Sequence, residues 1–214
     1  MKILVALDRD NTLHQDDSDG FYGKGETWRE KLIFLEGVIE GLQLLSLQPD
    51  MHMIVASNQR GVARGMFDEA RVREVNQHID SVLQKLGVRM DGWYFCPYTD
   101  EEDARKWERQ NIPYNKRYIR RSHLKKPEIG MLEQAAADLG CGLGAFSHIY
   151  FVGDRYTDVK TGINAGGKGI LIQTAASQHN YEKCVRRQTK YPGKIQIVQT
   201  FLDAARFVVS DAYR

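Results

Sequence analysis

The sequence predicts an α/β protein built on a Rossmann-like, mostly parallel sheet with helices on both faces. Two observations carry that prediction. Short apolar runs alternate along the chain with segments of helical period, the pattern of repeated βα units. Three of the apolar runs also end directly in polar, reactive residues, and the carboxyl ends of strands are where open parallel sheets gather their ligands.

The first run, Ile3-Leu4-Val5-Ala6-Leu7, has no polar member, as fits a strand buried on both faces, and it passes without a gap into Asp8-Arg9-Asp10-Asn11-Thr12. Residues 16–30 then mix glycine with both signs of charge and keep no period, so a loop insert over about 14–33 is expected to cover the crevice. A helix over 38–47 stops at Gln48-Pro49-Asp50. The second run, 51–56, is apolar except for His52 and ends in Ser57-Asn58-Gln59-Arg60-Gly61. Asp68 is placed to cap a helix reaching about residue 86, and 92–95 reads as a short strand before Cys96-Pro97. Residues 98–125 are strongly charged without a sustained period, and so read as a second irregular insert.

Regularity returns at Lys126-Pro127-Glu128, where proline suits the first turn of a helix over 128–139. The third buried run, 148–152, ends in Gly153-Asp154-Arg155-Tyr156-Thr157-Asp158. A helix to about 165, a short strand over 169–172, a last strand over 194–198 and a helix over 200–209 complete the chain. Residues 1–214 therefore read as one domain, with no insert large enough to form a separate cap, and selectivity falls to the loops around 14–33 and 98–125.

Composition narrows the class. A chain of 214 residues, 42% hydrophobic and 27% charged, is ordinary for a globular protein with one sizeable core. Its net charge of +2 does not by itself argue for nucleic acid or a membrane as partner. Cys96, Cys141 and Cys184 are widely spaced and make no CxxC pair, which suits reduced thiols in the cytoplasm. The apolar start ends at Asp8, too early for a signal peptide or a spanning helix. Residues 162–169 imitate a phosphate-binding P-loop but end in Gly169 rather than Ser or Thr, and they leave a helix instead of opening one. The basic cluster Lys183, Arg186, Arg187 and Lys190 reads as a solvated face.

The polar strand ends carry the chemistry. Asp8 and Asp10 lie two apart on an extended segment, so both carboxylates face one crevice and repel each other unless a cation or a shared proton compensates. Taken singly, each set has an ordinary reading: Asp8 and Asp10 as turn residues, Ser57 and Asp154 as helix caps, Lys126 as a surface lysine. Their joint occurrence at successive strand ends is what argues for a site.

Asp8-x-Asp10-x-Thr12, Ser57-Asn58, Lys126-Pro127 and Gly153-Asp154-x-x-x-Asp158 together resemble the four motifs of the haloacid dehalogenase superfamily of phosphohydrolases. Four longer segments resemble one branch of its subfamily III, the D-glycero-D-manno-heptose-1,7-bisphosphate phosphatases and histidinol-phosphate phosphatase domains. These are Phe34-Leu35-Glu36-Gly37-Val38, Ser57-Asn58-Gln59-x-Gly61-Val62-Ala63-Arg64-Gly65, Asp91-Gly92-Trp93-Tyr94-Phe95-Cys96-Pro97 and Lys126-Pro127-Glu128-x-Gly130-Met131. The resemblance implies a Mg²⁺-dependent phosphomonoesterase. In it, Asp8 is the nucleophile that forms an aspartyl-phosphate and Asp10 the acid and base. Ser57, Asn58 and Lys126 would hold the phosphoryl oxygens. Asp8, the backbone carbonyl of Asp10 and Asp154 would ligate the metal, with Asp158 as a further ligand or a partner behind it.

Departures from the branch qualify what it implies. Asn11 stands where the family has glycine, and asparagine tolerates the left-handed backbone that such a turn needs. Many relatives of this kind hold zinc through a Cys-x-His pair followed by Cys-x-Cys. Here only Cys96 remains, with Tyr98, Ser122 and Leu124 at the other positions, so no structural zinc is expected. A basic stretch replaces that loop, and Arg120, Arg121 and Lys125, with Arg60, are candidates to bind a second anionic group on the substrate. The expected substrate is a small phosphorylated metabolite, a sugar phosphate or bisphosphate or histidinol phosphate. Tyr114 and Tyr118 among the basic residues keep a nucleic-acid 3′-phosphatase as the alternative, and a non-catalytic phosphate-binding protein is the competitor of another class.

Overall fold

A computed structural model describes residues 1–16, 22–174 and 177–214. Six strands form one sheet in the order β3-β2-β1-β4-β5-β6: β1 (Ile3–Leu7), β2 (Met51–Asn58), β3 (Gly92–Cys96), β4 (His148–Gly153), β5 (Lys168–Ile172) and β6 (Ile195–Val198). Every neighbouring pair is parallel. The chain leaves β1 toward β2 and later returns to β4 on the other side. Its strand order therefore reverses at β1, and a crevice opens at that strand's carboxyl end.

All five residues of β1 are fully buried, which is why the run carries no polar member. Its side chains alternate between faces. Ile3, Val5 and Leu7 join one core with residues of α1 (Val38–Ser46), α3 (Glu69–Lys85) and α8 (Phe201–Ala212), among them Leu42, Ile79 and Val208. Leu4 and Ala6 join the other, with Met131, Leu132 and Ala135 of α5 (Gly130–Asp138). A smaller cluster of Val159, Leu171, Cys184 and Ile195 ties α6 (Tyr156–Asn164) and α7 (Gln178–Gln188) to β5 and β6. Helices thus cover both faces, as the alternation predicts. Asp8 continues the parity of Leu4 and Ala6, which aims it toward the α5 side of the sheet.

The segment 98–125 is more regular than its sequence suggests. It contains a true helix, α4 (Glu101–Arg109), whereas α2 (Arg60–Ala63), directly after β2, is only a four-residue turn. Asp100 caps that helix by accepting from the Asp103 amide at 3.1 Å, and Glu101, Glu102 and Asp103 fill its first turn. Only Ala104 and Trp107 are buried along it, so its apolar face is too narrow to show a period. A second unexpected helix, α7, buries only Cys184. The helix read over 128–139 starts later, at Gly130, because the chain at 125–129 is still turning, and Gly130 leaves room for the close approach of His123. Pro127 therefore precedes the helix.

Of the loop read over 14–33, residues 17–21 lie outside the described residues. Its flanks are well packed: Tyr22 and Trp28 are buried in edge-on contact, and His14 bridges to Phe34. The three cysteines are unpaired. No described helix is long and apolar enough to cross a membrane.

Candidate active site

The strand ends β1, β2 and β4 and the turn before α5 converge on a cavity of about 430 Å³ whose wall includes Asp8, Asp10, Ser57, Asn58, Arg60, Lys125, Lys126, Asp154, Arg155 and Asp158. Asp8 is held at the end of β1 because its amide still donates to the Val152 carbonyl of β4 at 2.9 Å. Asn11 turns the chain with φ of 57°, the left-handed conformation that asparagine accepts where glycine would be usual.

Lys126 is buried and paired with two carboxylates of the site. Its Nζ lies 2.7 Å from Asp8 Oδ1 and 2.7 Å from Asp158 Oδ1. Burial works to lower the Lys126 pKa, but Asp158 and Asp8 outweigh it and raise the pKa above the usual lysine value. Asp158 is held at Oδ2, which accepts from the Arg155 amide at 2.9 Å, while Oδ1 has the ion pair to Lys126 but no hydrogen bond. Gly153 permits that approach: a Cβ there would run into the Asp158 carboxylate.

Asp154 has no such partner. Its Oδ1 is buried without a hydrogen bond, and the Nε of Arg155 stands 3.9 Å away. Burial together with the charges of Asp8 and Asp158 pushes its pKa up to about 8, and Asp158 is pushed up to about 6, chiefly by burial. Asp8, Asp154 and Asp158 each offer a carboxylate oxygen, all within 4.8 Å of one another. Three buried carboxylates, with Oδ1 of both Asp154 and Asp158 lacking a hydrogen bond, fit a hard divalent cation such as Mg²⁺, which takes oxygen ligands.

The Asp10 carboxylate stands apart from that cluster. Arg9 Nε and a terminal nitrogen donate to its two oxygens at 2.9 and 3.2 Å, Gln59 Nε2 donates at 2.6 Å, and His14 Nε2 lies 3.3 Å away. His14 Nδ1 faces the Gln15 carbonyl at 2.9 Å, so that nitrogen carries a proton. Burial works to raise the Asp10 pKa, yet Arg9 and His14 hold it well below the usual carboxylate range. The Arg9 guanidinium is almost fully buried and is anchored at its far end on Asn76 of α3, at 2.8 Å.

The sequence-predicted set thus divides. Ser57 lines the cavity and accepts from Gln59 Nε2 at 2.8 Å. Asn58 instead spends its side chain on the main chain of Lys126: Oδ1 accepts from the amide at 3.0 Å and Nδ2 donates to the carbonyl at 3.3 Å. These two bonds clamp the main chain of Lys126 while Asn58 still lines the cavity. Lys125 is also engaged, by Asp100 at 2.6 Å and Asp103 at 3.2 Å. The Arg120 guanidinium stacks on Tyr98 at 3.8 Å, and neither Arg120 nor Arg121 contributes to the cavity wall. Tyr114 packs against Trp107, and Tyr118 against Tyr98 with its hydroxyl donating to Glu69. Arg9, His14, Gln59 and Arg155 were not singled out by sequence reasoning, although Arg9 and Gln59 stand inside motif segments.

A family model described as HAD-hydrolase-like matches residues 123–204. The chain is 32% identical over 176 residues to a D-glycero-β-D-manno-heptose-1,7-bisphosphate 7-phosphatase of Haemophilus ducreyi, covering 81% of this chain and 84% of the relative. It is 29% identical over 195 residues to a D-glycero-D-manno-heptose-1,7-bisphosphate 7-phosphatase of Chlorobaculum tepidum, covering 90% and 87%. Among solved structures, the D,D-heptose 1,7-bisphosphate phosphatase of B. bronchiseptica, complexed with magnesium and phosphate, aligns with a TM-score of 0.71, 25% identity and 99% of both chains.

Proposed function

Because the chain belongs to the HAD-like phosphatases, we propose that it is a Mg²⁺-dependent phosphomonoesterase that removes one phosphate from a sugar bisphosphate of the heptose 1,7-bisphosphate type. The observation that carries the reaction is the separation of the two aspartates at the end of β1. Asp8 sits among cation-seeking carboxylates, while Asp10 has its own hydrogen-bonded niche two residues on. In this reading Asp8 attacks phosphorus, the bond to the sugar oxygen breaks, and an aspartyl-phosphate results. Asp10 gives a proton to the departing alkoxide and later takes one from the water that hydrolyses the intermediate. The negative charge of an arriving phosphate opposes the hold of Arg9 and His14 and favours the protonated acid.

Asp8, Asp154 and the Asp10 carbonyl would hold Mg²⁺, which when bound offsets the charge between the nucleophile and the phosphate. Held at Oδ2 by the Arg155 amide and ion-paired to Lys126 through Oδ1, Asp158 acts by fixing Lys126. Lys126 and Ser57 orient the phosphoryl oxygens, and Asn58 sets the lysine through its main chain. The segment 98–125 is read as standing without zinc. Its support is a hydrogen-bonded frame, Thr99 amide to Tyr118 carbonyl at 3.0 Å and Arg120 amide to Thr99 carbonyl at 2.8 Å, with Cys96 Sγ donating to the Tyr98 carbonyl at 3.7 Å. The whole chain is read as one domain, and three unpaired cysteines support a cytoplasmic setting.

The test is phosphate release with Mg²⁺ from sugar bisphosphates, histidinol phosphate, nucleotides and 3′-phosphorylated oligonucleotides. Sugar bisphosphate should lead, and Asp8→Asn should cost at least about 10³-fold in kcat. Activity retained in Asp8→Asn would end the covalent mechanism. Preferred turnover of oligonucleotides would replace the substrate.

A further inference from the structure

A sugar differs from other phosphorylated molecules in its hydroxyl groups, and neutral hydrogen-bonding side chains are what recognise them. Around the reacting centre such side chains are mostly committed: Gln59 to Ser57 and Asp10, and Asn58 to the main chain of Lys126. Two that line the same cavity from α6 and α7, Thr157 and Asn180, have capacity left. Asn180 Oδ1 accepts from the Tyr156 amide at 3.0 Å. Because that amide can only donate, the carboxamide oxygen is fixed on it, and the Nδ2 group is left without a hydrogen bond among the described residues. The Thr157 hydroxyl makes none there either, since Thr161 Oγ1 donates to the Thr157 carbonyl, at 2.8 Å.

The helix that carries Asn180 is firmly docked. Ser177, just before α7, is buried, and its hydroxyl ties back to Thr174, accepting from the amide at 2.8 Å and donating to the carbonyl at 3.0 Å. Lys183 lies over the Tyr156 ring at 4.5 Å, and Cys184 shares a buried cluster with Val159 of α6. A helix that buries one residue adds little to the core, so its seat on α6 is better accounted for by what it brings to the cavity. We infer that Asn180, with Thr157, hydrogen-bonds hydroxyl groups of the sugar and so selects a hydroxylated substrate over an equally charged one without hydroxyls. Asn180 Nδ2 donates to a hydroxyl oxygen, and the Thr157 hydroxyl donates or accepts. When the substrate lacks that hydroxyl, both side chains lose their partners in a cavity the substrate has emptied of water, and the analogue is rejected.

The inference rests on the sugar-bisphosphate reading, and one experiment separates the two. With Mg²⁺ present, kcat/KM is measured for a heptose 1,7-bisphosphate and for heptane-1,7-diol bisphosphate, which keeps both phosphates on a chain of the same length and has no free hydroxyl. The ratio of the two is compared in the wild type, Asn180→Asp, Asn180→Ala and Thr157→Val. Asn180→Asp keeps an oxygen for the Tyr156 amide but offers no N–H, and its charge bears on both bisphosphates alike, so that it cancels in the ratio. The wild-type ratio should be about tenfold or more in favour of the heptose. It should fall by about three- to tenfold in both Asn180 variants, mainly through KM for the heptose substrate, and by about threefold in Thr157→Val. A ratio unchanged in Asn180→Asp and Asn180→Ala would leave Asn180 as a cap on α6 and overturn the inference alone, as would a wild-type ratio near one. Turnover of nucleotides or histidinol phosphate with neither bisphosphate hydrolysed would sink the substrate reading and the inference with it.

Discussion

At the scale of single residues, the site shows how an ordinary side chain becomes reactive through what surrounds it. Arg9 is the sharpest case. A buried guanidinium is costly to desolvate and persists only where its donors are satisfied, here by both oxygens of Asp10 and by Asn76. Arg9→Met should leave the half-buried Asp10 carboxylate without its main cation, destabilise the fold by about 3 kcal/mol and lower kcat more than it raises KM, read by denaturant melts and steady-state kinetics. A variant with wild-type kcat would show that Asp10 needs no such anchor. Gly153 gives a steric counterpart, since a methyl group there has no room beside Asp158. Gly153→Ala should displace Asp158, loosen Lys126 and cost about 1–3 kcal/mol of stability along with most of the activity. A crystal structure of the variant with Asp158 and Lys126 still 2.7 Å apart would refute that chain of contacts.

Elements decide which of these residues meet, and here sequence and structure part company in an instructive way. The apolar runs 3–7, 51–56 and 148–152 were legible as strands because burial on both faces leaves no room for polar residues. Asp8, Ser57 and Asp154 followed from their positions at the ends of those runs. The helix α4 was hidden, because a helix lying on the surface needs only Ala104 and Trp107 to hold it. Its start signal is nevertheless in the sequence, Asp100 followed by three acidic residues. Lys125 lines the cavity, and the carboxylates that engage its ammonium, Asp100 and Asp103, come from the start of this same helix. Trp107→Ala should therefore weaken α4 by about 3 kcal/mol and speed amide exchange across 98–125 while the central strands stay protected. Elemental analysis of the purified protein should find well under one zinc per chain. Stoichiometric zinc would mean that the loop is held by more than its hydrogen bonds.

For the whole molecule, the sheet topology imposes an electrostatic cost at the crevice where the strand order reverses. Asp8, Asp154 and Asp158 come from β1 and from the segment after β4, and their proximity follows from pairing those strands side by side. Lys126 compensates for Asp8 and Asp158 but leaves Asp154 without a hydrogen bond at Oδ1. The consequence is a pH-dependent stability whose sign is fixed. Asp154 near 8 and Asp158 near 6 both lie above the usual carboxylate range, so the folded state binds more protons than the unfolded chain throughout the interval between. Their contribution to stability is full in acid, below the ordinary carboxylate pKa, and is lost as pH rises through about 6 and then about 8. A divalent cation reverses the balance, because it binds the deprotonated carboxylates and must displace any proton they hold. Metal-free protein should thus show a falling contribution from this cluster between pH 5.5 and 8.5, and the rise in Tm produced by a fixed excess of Mg²⁺ should grow over the same interval. Calorimetric titration with Mg²⁺ at pH 7, in buffers of different ionisation enthalpy, should detect proton release on binding. Replacing Asp154 by Asn should remove most of both effects while the sheet remains folded. A Mg²⁺-induced shift in Tm that is the same at pH 5.5 and 8.5 would refute the linkage and, with it, the view that Asp154 is the carboxylate awaiting a cation.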